Sequence, residues 1–319
     1  MSPDPGNGPR LIGAGAVAAA LGYADLVAAL DEMFRAGCEA PLRHHHTVAG
    51  EGGADGTLLL MPAWQQGGDI GIKIVTVFPD NAKRSLPSVI GSYLLLDGTT
   101  GEPRALIDGS ELTVRRTACA SALAARYLAR ADAARMVMVG AGALAPHLIR
   151  AHAAVRPLKA VRIWNHNPVR ARDLAAGLQL DGIAVEAIED LEAAVRGADI
   201  VSCATLSAVP LVQGAWLQPG SHLDLVGAFR PDMRESDDAA VRRARIFVDT
   251  RAGALSEGGD LAIPLSEGVI TEADVQADLF ELARGERPGR GADDEITLFK
   301  SVGTALEDLA AARLVAARA

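Results

Sequence analysis

The chain has 319 residues, 49% of them hydrophobic, and a net charge of −9 from 31 basic and 40 acidic side chains, enough length for two domains with sizeable cores. Acidic charge spread along the chain argues against nucleic acid as a partner, and no apolar run reaches bilayer length, so no membrane association is expected and the cytoplasm is the expected location. Cys38, Cys119 and Cys203 are scattered without metal-type spacing, and the odd count suits a reducing compartment.

A polar, Pro/Gly-rich leader, Ser2 to Arg10, precedes Gly13-Ala14-Gly15-Ala16-Val17-Ala18, which matches the Gly-x-Gly-x-x-Ala expression of a dinucleotide turn. Its context does not match. Too few apolar residues precede it for a strand, and Leu26, Val27, Leu30, Met33 and Phe34 then recur at helical spacing where a second strand would be needed. Gly13 to Ala20 therefore reads as a short Ala-rich helix, followed by an amphipathic one. Pro41 to Val48, Thr57 to Met61, Ile70 to Phe78, Val89 to Leu96 and Arg104 to Asp108 are β-rich runs, and a Gly/Ala-rich loop spans residues 49–56. Short turns between them predict a mainly antiparallel sheet. Leu112 to Arg130 reads as one long helix.

Strands and helices alternate from residue 135 onward, with strands at 136–139, 161–164, 184–187, 200–204, 222–226 and 246–248. Alternation of this kind implies a parallel, doubly wound sheet of Rossmann type. Met136-Val137-Met138-Val139 runs into Gly140-Ala141-Gly142-Ala143-Leu144-Ala145 and then a helical pattern. Here the first glycine permits the turn, the second admits backbone N–H groups to a pyrophosphate, and the small Ala145 lets helix and strand pack closely. A last strand, Glu295 to Phe299, and a helix from Val302 to Ala317 read as a return to the first domain. The fold class is thus α/β, a doubly wound parallel sheet plus a mixed α+β domain. The divisions fall at 1–115 with 296–319 and at 116–295.

The second strand of the nucleotide unit ends in Asn165-His166-Asn167, where an acid would hold the ribose 2′-OH of NAD, and Arg170 and Arg172 follow. Absence of the carboxylate favours NADP(H), with NAD(H) as the alternative. Small residues end strands on the carboxyl edge at Ala204-Thr205 and Val226-Gly227, which admits a cofactor, while Cys203 reads better as a packed thiol than as a nucleophile.

Three cations stand in or beside apolar sequence: Arg43, Lys73 within Gly71-Ile72-Lys73-Ile74-Val75, and Arg116. Buried, Lys73 needs a charged partner; on a strand edge it would simply face solvent. Surface positions remain open for Arg43 and Arg116 too. His44, His45 and His46 are consecutive, so in a strand they point to alternate faces and cannot converge on one ion; no metal is expected.

These residues together resemble the ornithine cyclodeaminase/mu-crystallin family along nearly the whole chain. The resemblance rests on Arg43, on residues 71–76 with Pro79 and Asn81, and on residues 95–103. It continues through residues 112–118, the Gly140 turn, residues 226–235 and residues 299–303. It implies a homodimer whose mixed domain binds substrate and forms the subunit interface. It also implies that Arg43, Lys73 and Arg116 hold a substrate carboxylate beside the nicotinamide, with Lys73 and Arg116 catalytic. The residues assigned to the cofactor are Thr117, Gly140, Gly142, Ala143, Leu144, Asn165, His166, Asn167, Arg170, Ala204, Thr205, Val226 and Gly227. In cyclodeaminases of the family an aspartate occupies the position of Phe229, here assigned to substrate binding. Its replacement favours reduction of small cyclic imino acids such as 1-pyrroline-2-carboxylate or 1-piperideine-2-carboxylate. Ornithine cyclodeaminase, alanine dehydrogenase and a non-catalytic NADPH-dependent ligand-binding protein are the alternatives.

Overall fold

Alternating burial along β-rich sequence and helical stripes of small apolar residues build two units, residues 1–116 with 304–319 and residues 117–303. The computed structural model describes residues 8–50 and 53–319; the leader up to residue 7 and residues 51 and 52 of the glycine-rich loop lie outside the described residues.

The first unit begins with β1 (Arg10–Ile12), α1 (Ala14–Ala20) and α2 (Tyr23–Ala36), followed by β2 (His44–Val48), β3 (Gly56–Trp64), β4 (Asp69–Val77), β5 (Val89–Asp97) and β6 (Pro103–Asp108). The six strands lie in the order β1-β6-β5-β4-β3-β2, antiparallel except for the β1–β6 pair. The apolar stripe of α2, from Leu26 to Phe34, is buried. The early glycine motif is helix α1, capped by Gly13 in an extended conformation, and α2 follows it where a nucleotide unit would have a strand. One correction applies there: Leu11 and Ile12, read as too short an apolar run to form a strand, pair with Leu106 and Ile107 in β1. Three residues suffice because β6 supplies the partner.

Helix α3 (Gly109–Leu128) starts three residues earlier than its apolar spacing suggests, because the Asp108 carboxylate accepts the backbone N–H of Glu111 at 2.8 Å. The second unit continues with β7 (Arg135–Val139), α4 (Ala145–Val155), β8 (Ala160–Trp164), α5 (Pro168–Gly177), β9 (Ala184–Ala187), α6 (Leu191–Arg196), β10 (Ile200–Cys203) and β11 (His222–Leu225). Then come α7 (Asp238–Arg243), β12 (Arg245–Val248), α8 (Arg251–Ser256), α9 (Gly259–Ser266), β13 (Val275–Asp278), α10 (Leu279–Ala283) and β14 (Thr297–Lys300). The eight strands are parallel throughout, in the order β13-β12-β14-β11-β10-β7-β8-β9.

Strand β14 corrects the expected return to the first domain: it lies between β11 and β12, and all four of its residues are buried. A strand covered on both faces has no alternation to reveal its sheet, so its sequence did not identify its neighbours. Only the helix after it, α11 (Ala305–Arg318), belongs to the first unit, where it packs on α2, β3 and β4. Strand β13 has no counterpart in the sequence reading, since Val275-Gln276-Ala277-Asp278 is short and mixed in polarity. No single helix among the described residues is long and apolar enough to cross a membrane.

Candidate active site

In the second unit, chain order reverses between β7 and β10, the switch point of a doubly wound sheet, where ligands bind at the carboxyl edge. The turn after β7 depends on Gly140, whose φ of 114° disfavours any side chain; a Cβ there would stand 2.6 Å from the carbonyl oxygen of Ala204. Its N–H is held by the Trp164 carbonyl at 2.8 Å. Gly142 is different. Nothing lies within 4 Å of the place its Cβ would occupy, so the backbone there is open to a ligand. The buried Ala145 opens α4, with Pro146 in its first turn.

This turn borders a cavity of about 380 Å³ lined by Gly140, Ala141, Gly142, Trp164, Asn165, His166, Arg170, Ala204, Thr205, Leu206, Ser207 and Leu211. Seven of the residues assigned to the cofactor meet there: Gly140, Gly142, Asn165, His166, Arg170, Ala204 and Thr205. Thr117, Ala143, Leu144, Asn167, Val226 and Gly227 lie outside the lining. Asn167 is otherwise engaged, because its side chain caps α5 by accepting the Val169 N–H at 3.0 Å, while its carbonyl accepts from the Asn165 side chain at 3.1 Å. Open backbone at Gly142, a helix N-terminus and a polar far wall fit a dinucleotide.

Sequence reasoning missed Glu235, which is wholly buried beneath this edge. Its carboxylate accepts from Thr205 N and Oγ1 and from the backbone of Gly227 and Ala228. Cys203 is a packed thiol: burial, then the nearby Glu235, Asp260 and Asp224 carboxylates, push its pKa well up, so it stays protonated. Phe229, on the loop after β11, is 49% exposed.

In the first unit, β4 alternates with Gly71, Lys73 and Val75 inward. Lys73 is 2% and Arg116 5% exposed, which removes the solvent-facing readings of both. Their partners are two fully buried acids in the first turn of α11. Lys73 Nζ lies 2.9 and 2.7 Å from the Asp308 carboxylate oxygens. Arg116 Nη1 donates to Glu307 at 2.6 Å, and its Nε is 2.9 Å from Asp308. Burial, Arg116 and Arg43 lower the Lys73 pKa and Asp308 opposes them, leaving it at about 8. Arg43 is half-buried just before β2 and acts on Lys73 through its charge. The signal for Glu307 and Asp308 was present in the sequence, two acids inside the apolar run from Ala305 to Ala312, but acids in a first helical turn also suit the helix dipole without any partner. Tyr93 pairs with Lys73 across the sheet, and its hydroxyl fills the space above Gly71, where a Cβ would come within 1.8 Å. On β2, all five residues are exposed, and the rings of His44 and His46 meet edge to face at 6.4 Å.

A doubly wound parallel sheet with a glycine turn at its switch point, joined in one chain to a mixed unit with a buried cation pair, defines a two-unit dinucleotide-binding protein. The chain belongs to the ornithine cyclodeaminase/mu-crystallin family, whose model matches residues 14–319. Protein SAR DEFICIENT 4 of Arabidopsis thaliana is 44% identical over 284 residues, 86% of each chain. A Delta(1)-pyrroline-2-carboxylate reductase of Paracoccus denitrificans is 44% identical over 264 residues, 82% of this chain and 83% of the other. The fold also superposes on Thermococcus litoralis Delta(1)-pyrroline-2-carboxylate reductase, solved with NADH and L-proline, with a TM-score of 0.90, 34% identity and 97% of both chains covered.

Proposed function

We propose that this protein is an NAD(P)H-dependent reductase of small cyclic imino acids of the 1-pyrroline-2-carboxylate or 1-piperideine-2-carboxylate type. The observation that carries the reading is the buried Lys73–Arg116 pair held by Glu307 and Asp308. Arginine suits a planar carboxylate, and an ammonium carries three donors, so Asp308 leaves Lys73 donors for a second carboxylate. Arg43, Lys73 and Arg116 bind the substrate carboxylate. A reduced nicotinamide supplies hydride to C2 of the imine when bound. Lys73 Nζ supplies the proton at the ring nitrogen, so that C=N becomes CH–NH with hydride and proton both accounted for. The nearly neutral pKa of Lys73, about 8, suits an acid that must give up its proton.

For the cofactor, the cavity offers Asn165, His166 and Arg170 and no carboxylate at the β8 end, which favours NADPH over NADH. The outward face of the six-stranded sheet carries Leu11, Leu106 and Ile90, with Leu11 79% exposed, and a face of this kind suits burial in a homodimer. Cys38 and Cys203, which form no disulfide, suit the cytoplasm. The purified protein should oxidise NADPH with either cyclic imine and not with pyruvate plus ammonia. Release of ammonia and proline from L-ornithine would overturn the assignment.

A further inference from the structure

The two loops at the carboxyl edge of the parallel sheet are joined by one carboxylate. Glu235 Oε1 accepts from Thr205 N at 2.6 Å and from Thr205 Oγ1 at 2.8 Å, while Oε2 accepts from Gly227 N at 2.8 Å and Ala228 N at 3.3 Å. One pair of donors follows β10 and the other follows β11. The approach is so close that a Cβ on Gly227 would stand 2.1 Å from the Thr205 carbonyl oxygen and 2.5 Å from Glu235 Oε1. Gly227 is therefore required for this junction, although it does not line the cavity. Glu235 is itself anchored: its N–H donates to Asp260 Oδ1 at 2.7 Å, and Asp260 Oδ2 takes Lys300 Nζ at 3.1 Å. Both of these residues are fully buried.

We propose that Glu235 is a positioning residue for cofactor binding, whose ionised carboxylate holds the Ala204–Leu206 wall of the nucleotide cavity in register with the Gly227–Ala228 loop. The proposal rests on the dinucleotide reading of the cavity and not on the identity of the substrate. An ionised carboxylate only accepts, and its two oxygens suit four donors; a protonated one turns an O–H toward those donors and releases at least one of them. The groups facing it are Asp260 on α9, Lys300 on β14 and the Cys203 thiol on β10. Burial and Asp260 push the Glu235 carboxyl up to about 7 against the opposing pull of Lys300 and the Thr205 hydrogen bonds. The wall is thus fixed above neutrality and loosened below it.

The test is calorimetric binding of NADH, which has no 2′-phosphate to titrate, at pH 6, 7 and 8, with His166→Asn in every protein so that no imidazole lines the cavity. If only the ionised form binds, the competent fraction falls from roughly nine-tenths to one-tenth over this range, and Kd rises about tenfold from pH 8 to pH 6. Glu235→Gln, which offers one acceptor oxygen and a misplaced NH₂, should weaken binding about tenfold at pH 8 and flatten the pH dependence. A Glu235→Gln protein that binds within about twofold of the parent at pH 8, or keeps its pH slope, overturns the proposal. If that variant fails to fold by circular dichroism, Thr205→Val decides: removal of one donor should weaken binding about threefold, and unchanged binding overturns the proposal. A wild-type protein, with His166 intact, that binds no NADH at any pH overturns the dinucleotide reading and this proposal with it. NADH binding without imine reduction overturns only the substrate assignment.

Discussion

Asp308 is the residue on which the protonation of Lys73 turns. A lysine buried beside Arg116, with Arg43 also acting on it, is driven toward its neutral form, and the Asp308 carboxylate at 2.7 Å opposes this. Activity that needs the protonated amine should therefore be present below pH 8 and fall as pH rises through about 8. In Asp308→Asn this alkaline limb of kcat/KM should move to lower pH by about 1–3 units, the usual effect of one close opposite charge. An unmoved limb assigns it to another group. Lys73→Ala should cost on the order of 10²–10⁴ in kcat/KM, the range of a general acid, with NADH binding by calorimetry unchanged. In the cavity of the second unit Arg170 is exposed, so the 2′-phosphate contact proposed for it would be screened by solvent. Arg170→Ala should raise KM for NADPH only about three- to tenfold and leave NADH unaffected, as steady-state kinetics with both cofactors will read.

The elements depend on a few contacts that admit no side chain. Helix α4 follows β7 only because Gly140 takes a positive φ against the Ala204 carbonyl. Gly140→Ala should combine backbone strain with a clash, lower Tm by several degrees and abolish NADH binding, as differential scanning calorimetry and titration calorimetry would detect. The early Gly13 motif, by contrast, has no positive φ, and a Cβ at Gly13 or Gly15 would meet nothing within 4 Å. Gly13→Ala should leave both readouts unchanged. The two motifs share their spacing, and the elements that follow separate them. That difference was legible in the sequence, because an amphipathic helix and an apolar strand have different periods.

Across the second unit, α3, α4, β10, β11 and β14 converge on buried polar groups. The Asp224 carboxylate accepts from Ser121 and Ser202 at 2.8 and 2.6 Å and lies 3.3 Å from His152 Nε2, while His222 Nδ1 is 2.9 Å from Thr297 Oγ1. Burial pushes the Asp224 pKa up, but His152 and Ser202 overcome this and leave it below the usual carboxylate range. Burial lowers His222 to about 3, with His152 adding to the shift and Asp224 opposing it. Both shifts have the same sign for stability. Between the ordinary histidine pKa of about 6.5 and a value of about 3, the unfolded chain binds a proton that the folded one refuses, so stability falls as pH drops. A depressed Asp224 adds to the loss below the ordinary carboxylate range. By pH 4 the His222 share is about 2–4 kcal/mol. Urea titrations from pH 7 to pH 4 should show the decline, and His222→Gln should flatten it between pH 6.5 and 4; an unaltered slope excludes His222 as the cause.

The sequence by itself determined the two kinds of sheet, the glycine turn at Gly140, the helical nature of Gly13 to Ala20 and the three cations worth attention. Each of these is a local property, carried by periodicity, turn residues or an unexpected charge within a few positions. Tertiary structure alone decided what the cations meet. Lys73 and Asp308 are 235 residues apart, and Arg116 and Glu307 are 191 apart, so no local pattern on either side names the partner. It also decided that β14 joins β11 and β12 and that the Asn167 side chain caps α5 and stays out of the cavity wall. It placed Glu235 under two loops whose donors belong to the backbone. Backbone N–H groups are present at nearly every residue, so the sequence cannot mark the four that a buried carboxylate will hold; only the folded chain brings them together.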